Sequence, residues 1–172
     1  MKIRKFARGL AAASLAAGIA IGATGTASAA PEPAPGLRWG LFNTNASNIW
    51  VLGNNSWCNG HIDFTVETDV ERPGVVIVTS TPRAAQSPSP AWKENPTCDA
   101  DVVLLWGNGW NNSGTEFVPI TLTDRPGEPI RTELHTGSGQ HATLTIAAPP
   151  AYGHTKLRNV FSYETGAYFA VP

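Results

Sequence analysis

Between residues 61 and 71 the chain alternates strictly: Ile62, Phe64, Val66, Thr68 and Val70 interleave with His61, Asp63, Thr65, Glu67, Asp69 and Glu71. Successive side chains of a strand point to opposite faces, so this segment predicts a strand with one dry face and one wet face. A helix would scatter the same residues around its circumference. Pro73-Gly74 follows as a turn, with proline presetting the first central angle and glycine accepting a positive one, and residues 75–81 return as a second β-branched strand. Further strands are expected over 37–43, 48–52, 102–106, 116–123, 130–135, 141–147, 156–163 and 168–171, separated by turns such as Asp124-Arg125-Pro126-Gly127 and Gly137-Ser138-Gly139.

Nine to ten short antiparallel strands predict an all-β fold, an immunoglobulin-like or related β-sandwich, with a closed β-barrel as the alternative. Residues 102–106 are apolar on both faces and belong in the middle of a sheet. After residue 30 no window holds a helical period for three turns, and all 14 prolines lie there, close to twice average usage. A membrane barrel would need many strands with the length and alternation that only 61–71 shows.

The first 29 residues read as an export signal: a basic start through Arg8, an apolar stretch from Leu10 to Ile21, and an Ala27-Ser28-Ala29 cleavage site. That apolar stretch is short for a bilayer, which needs about 20 residues, and no later run approaches a membrane span. Removal of 29 of the 172 residues leaves 143, enough for one domain, expected over 37–172. The proline-rich 30–36 is expected to be a spacer or frayed terminus, because alternating prolines remove donors from a sheet interior. Lys2, Arg4, Lys5 and Arg8 leave with the signal, so eight basic residues then face 13 acidic ones. A scatter of eight supplies neither the basic patch that nucleic acid requires nor the cluster that anionic lipid requires.

Export also assigns the two cysteines. In an oxidising compartment Cys58 and Cys98 are expected to bridge, closing a loop worth about 4 kcal/mol in the chain-entropy estimate. Residues 80–97 carry Pro82, Pro88, Pro90 and Pro96 and are expected to form a long loop without an element. Two other segments resemble each other, 53–60 and 107–114, each with Gly-Asn, a tryptophan and an asparagine-containing exit to glycine. Both are expected to connect strands.

For chemistry, the chain has no G-x-S-x-G elbow, no H-E-x-x-H and no phosphate-cradling glycine loop, so no catalytic residue is assigned and no cofactor is expected. The carboxylates Asp63, Glu67, Asp69 and Glu71 share a strand face that would suit calcium or an acid pair, but they read first as a solvated face. His135 and His141 would face each other if Gly137-Ser138-Gly139 were a hairpin tip; a zinc or copper site would need further ligands, and only Glu133 is near, so two exposed histidines flanking a turn are expected instead.

Aromatic residues carry the functional expectation. Trp39, Trp50 and Trp106 fall in strand patterns and are assigned to the core, whereas Trp57, Trp92 and Trp110 fall in loops beside Asn54, Asn108 and Asn111. An indole stacks on the apolar face of a sugar ring and amides bond its hydroxyls. The expectation is a secreted, non-catalytic sandwich binding an extracellular glycan or protein surface, with Trp57 and Trp110 at the same end and Trp92 closing from the side. The alternatives are a secreted hydrolase with unidentified catalytic residues and a structural protein of the cell envelope.

Overall fold

The computed structural model describes residues 30–40, 47–54, 57–148 and 164–172. In chain order its elements are β1 (Glu32–Pro33), β2 (Arg38–Trp39), β3 (Asn48–Leu52), β4 (Asn59–Thr68), β5 (Val75–Pro82), α1 (Pro90–Glu94), β6 (Thr97–Asn108), β7 (Ser113–Thr123), β8 (Ile130–His135), β9 (Gly139–Ala147) and β10 (Thr165–Val171). Two antiparallel five-stranded sheets face each other and do not close into a barrel. One sheet runs β1-β4-β5-β8 with β3 also pairing β4, and the other runs β2-β10-β9-β6-β7. The signal segment and the strand expected over 156–163 lie outside the described residues, as does part of that expected over 37–43.

The core is the sum of the alternations. Ile62, Phe64 and Val66 of β4 and Val76 and Val78 of β5 are buried from one sheet. Val102 and Leu104 of β6, Ile120 and Leu122 of β7, and Leu144 and Ile146 of β9 are buried from the other. Trp39 and Trp106 are partly buried and pack against this core. Residues 102–106 do lie centrally, in β6, between β7 and β9. Ser80 also faces inward, and its hydroxyl has no protein partner.

Four expectations need correction. The proline-rich start is not a loose spacer: Glu32 and Pro33 pair with Thr68 and Glu67, the Ala34 amide donates to the Val66 carbonyl at 3.0 Å, and Ala34 is buried. Proline is tolerated there because this is a sheet margin, where a missing donor costs no ladder bond. The alternation of 61–71 stops at Thr68, leaving Val70 exposed and Asp69 buried. The Asp69 carboxylate accepts the Glu71 amide at 2.9 Å and its carbonyl accepts the Arg72 amide at 3.0 Å, so a turn forms before Pro73 is reached.

Residues 80–97 are not element-free either. β5 runs on to Pro82, Gln86 and Asn59 exchange backbone hydrogen bonds of 2.8 and 2.9 Å, and α1 buries Trp92. Finally, Gly137-Ser138-Gly139 is no hairpin tip. β8 pairs with β5, whereas β9 pairs with β6 and β10, so the segment crosses from one sheet to the other. Gly137 makes the corner at φ 71°, and its amide donates to the Gly74 carbonyl at 3.0 Å.

Candidate functional site

The disulfide builds one end of the sandwich. Cys58, just before β4, is bridged to Cys98 at the start of β6, with 6.6 Å between their Cα atoms. Neither cysteine is free, and both are buried. Gly53 packs so closely on the bridge that a Cβ there would overlap both sulfurs. Its amide donates to the Cys58 carbonyl at 2.9 Å and closes the β3–β4 connection. Asn54 then staples this connection to β6: its Oδ1 accepts the Asp99 amide at 3.0 Å, its Nδ2 donates to Asp99 Oδ2 at 3.3 Å, and its own amide donates to the Asp99 carbonyl at 2.7 Å.

Within this frame stands Trp57. Its φ of 56° lies in the left-handed region, which costs a bulky L-residue about 1–2 kcal/mol, and its side chain is 57% exposed. The Trp57 carbonyl accepts from Asn59 Nδ2 at 3.3 Å, which also reaches the Gln86 carbonyl at 3.3 Å. In the adjoining β3–β4 ladder, Leu52 is opposite Asn59 and Trp50 is opposite His61. These four alternate with the buried Ile49, Val51, Gly60 and Ile62, so they occupy the outer face of the sheet. Arg83 closes the far side, bound to both carboxylate oxygens of Asp63 at 2.6 Å. That bond, and then the carboxylate charge, push the Arg83 guanidinium up from its ordinary value. The outward-facing Trp50, Asn59 and His61 and the Asp63–Arg83 pair therefore neighbour one another on this face, and the Trp57 backbone is tied to it through Asn59.

The loop residues named from sequence are not gathered into one surface. Trp110 is fully exposed, but it follows the far end of β6, whose 12 residues span about 35 Å. Trp57 and Trp110 therefore lie at opposite ends, against the expectation that they share one. Trp92 is buried in the core, where it cannot close over a ligand. Asn108 donates to the Thr136 and Gly137 carbonyls at 3.1 and 2.7 Å, and Asn112 also donates to Thr136, so their amides hold the hairpin base to the sheet corner. Asn111 is exposed at the tip with Trp110.

His135 and His141 are likewise separated from any shared ladder. His135 is opposite Val75 in one sheet and His141 belongs to the other. Among the described residues no three His, Cys, Asp or Glu side chains form a metal-binding group. The acidic strand face differs from the expected solvated row. Glu67 pairs with Arg131 at 3.2 Å, Asp63 with Arg83, and Asp69 has turned inward.

Trp50 was assigned to the core, but it lies on the outer face with His61 and Asn59, which sequence reasoning did not group. The signal was present: if Ile49 and Val51 face inward, period two sends Trp50 outward. What sequence alone did not show was that Asn59, opposite Leu52, would tie the Trp57 backbone to the same face.

Compared with protein-family models, with curated proteins and with solved structures, the chain shows no match. Among the described residues no helix is long and apolar enough to cross a membrane.

Proposed function

We propose that this is a secreted, non-catalytic sandwich protein that binds an extracellular glycan through the corner formed by Trp57, Trp50, Asn59 and His61. The observation that carries the reading is Trp57 itself. Its backbone occupies a region that glycine or asparagine enters at lower cost, and its indole stands largely in water. Both choices oppose folding, and neither is offset by core packing. An exposed ring, with the Asn59 amide bonded to the Trp57 backbone carbonyl and the His61 imidazole two residues further along the same strand face, suits stacking on a sugar ring while its hydroxyls are bonded at the rim. The export signal and the disulfide support a site of action outside the cell.

The test separates binding from folding. In a glycan-array screen followed by titration of tryptophan emission, Trp57→Ala is expected to weaken binding by about 2 kcal/mol, roughly 30-fold in Kd. Trp57→Asn should weaken binding equally while matching or exceeding the wild-type stability, because asparagine tolerates the left-handed region. Trp110→Ala, at the other end, should leave affinity unchanged. Wild-type binding by both Trp57 variants would remove this corner as the site. A protein that binds no glycan yet captures a cell-surface protein through Trp57 would replace the ligand class.

A further inference from the structure

The end of the sandwich opposite the disulfide carries the two most exposed large apolar side chains of the described residues. β4 and β6 both start at the disulfide and run away from it, so the turn after β4 and the hairpin after β6 emerge together. Val70, in that turn, is 68% exposed, and Trp110, on the hairpin tip, is 103% exposed, so its indole rests on nothing of its own protein. Both loops are fastened to one corner. The Gly74 carbonyl accepts the Gly137 amide at 3.0 Å, Asn108 donates to the carbonyls of both Thr136 and Gly137, and Asn112 donates to that of Thr136. The Asn108 backbone amide also donates to the Asn112 carbonyl at 2.7 Å, which closes the hairpin below its tip. Behind it, the missing side chain of Gly114 leaves room for the Trp106 indole to lie across the hairpin base. The tip is therefore braced.

We infer that these two tips dock the protein on a zwitterionic lipid surface, with Trp110 and Val70 entering the interfacial layer. Shape, chemistry and charge select this occupant. Residues 109–112 and 69–72 fall far short of the roughly 20–30 residues that each side of a specific protein interface supplies. A sugar needs polar groups converging on the ring, whereas the side-chain amides of Asn108 and Asn112 turn inward to the corner. A bilayer interface asks less of the surrounding shape. An indole is favoured there because its ring is apolar and its N–H stays wet, and a convex tip can enter between headgroups. No residue from 107 to 114 is charged. In the turn, Asp69 is buried, Arg72 is bound to Glu133, and Glu71 is the carboxylate next to Val70. Residues 30–172 hold eight Lys and Arg against 13 Asp and Glu, so an anionic surface would repel the chain and a zwitterionic one would not. Display of the Trp57 corner about 35 Å from the lipid, across the length of β6, rests on the function proposed above, but the docking does not.

In the test, the exported protein is sedimented with sucrose-loaded vesicles of phosphatidylcholine alone and of an equimolar mixture with phosphatidylglycerol. The wild type is expected to sediment with the first and more weakly with the second. Trp110→Ala should lower the partition coefficient by about tenfold or more, and Val70→Asp should lower it as well. Melting temperatures should not change, because neither side chain belongs to the core. Phosphatidylcholine brominated on its acyl chains should quench part of the tryptophan emission, and Trp110→Phe should remain bound with that quenching lost. Wild-type protein that stays in solution with phosphatidylcholine, or sedimentation that Trp110→Ala leaves undiminished, overturns the docking. Stronger sedimentation with the mixture, abolished by salt, overturns it too, since charge would then hold the protein. A glycan-array signal lost in Trp110→Ala, without vesicle binding, would give the tip to a sugar instead. Trp57→Ala should leave sedimentation unchanged while removing glycan binding. If vesicles bind and no glycan does, the docking stands and the corner fails; the reverse pattern keeps the corner and removes the docking.

Discussion

At the scale of single residues, close packing at the disulfide decides the outcome. A glycine with a negative φ normally gains about 0.4–1 kcal/mol on change to alanine, because the unfolded chain loses freedom. Gly53 has no room for the added methyl, which would overlap Cys58 and Cys98 sulfurs. Gly53→Ala is therefore expected to destabilise by about 1–3 kcal/mol in denaturant unfolding. The cost should shrink in a Cys58→Ala/Cys98→Ala background, where the sulfurs are gone. Asp69 gives a second case. It was expected on a solvated strand face, but it is 5% exposed and caps a turn through the Glu71 amide. Asp69→Ala should cost about 1 kcal/mol, since it removes the hydrogen bond that closes the turn. The exposed Thr65→Ala on the same strand should stay within about 0.5 kcal/mol.

Among elements, the outer face of β4, β5 and β8 works as one unit. Ile77 points outward yet is 3% exposed, because the register places it between Glu67 and Glu133, each bound to an arginine whose apolar stem can lie over it. Hydrogen bonds of 2.8 and 2.5 Å from the Arg72 guanidinium hold the Glu133 carboxyl below its ordinary value of 4.5, despite desolvation pushing it up. A carboxyl depressed by folding adds stability that is fully present above its unfolded value and is lost as pH falls through the lower folded one. The melting temperature should therefore drop below about pH 4.5, and Glu133→Gln should flatten that part of the profile. A steeper acid limb in the variant would contradict the assignment. At the N-terminal margin, β1 adds a ladder rung and a buried alanine, so removing residues 30–34 should lower stability by about 1–3 kcal/mol, seen as a lower denaturant midpoint.

For the whole molecule, the length of β6 sets what can act together. Trp57 and Trp110 are held at its two ends, about 35 Å apart, well beyond the distance at which substitutions couple. Stability changes from Trp57→Ala and Trp110→Ala should add within about 0.5 kcal/mol in the double variant. Coupling well above that would mean the ends communicate through the sheet. The sequence by itself determined most of the strands from β3 to β9, because period two and turn chemistry are local properties, whereas β1 was expected to be a spacer. β3 and β8 fall where alternation predicts them, and β4 faces its apolar row inward as far as Thr68. It also determined the Cys58–Cys98 bridge, since two cysteines allow one intramolecular pairing. Tertiary structure alone decided which strands are neighbours. A Gly-Ser-Gly link serves equally as a hairpin tip or as a corner between sheets, and only the competing partners β5, β6 and β10 sent β8 and β9 apart. The same long-range pairing separated Trp57 from Trp110 and set Trp50 beside the disulfide corner, because a side chain's face is written in its immediate neighbours while its distant companions depend on register between strands far apart in the chain.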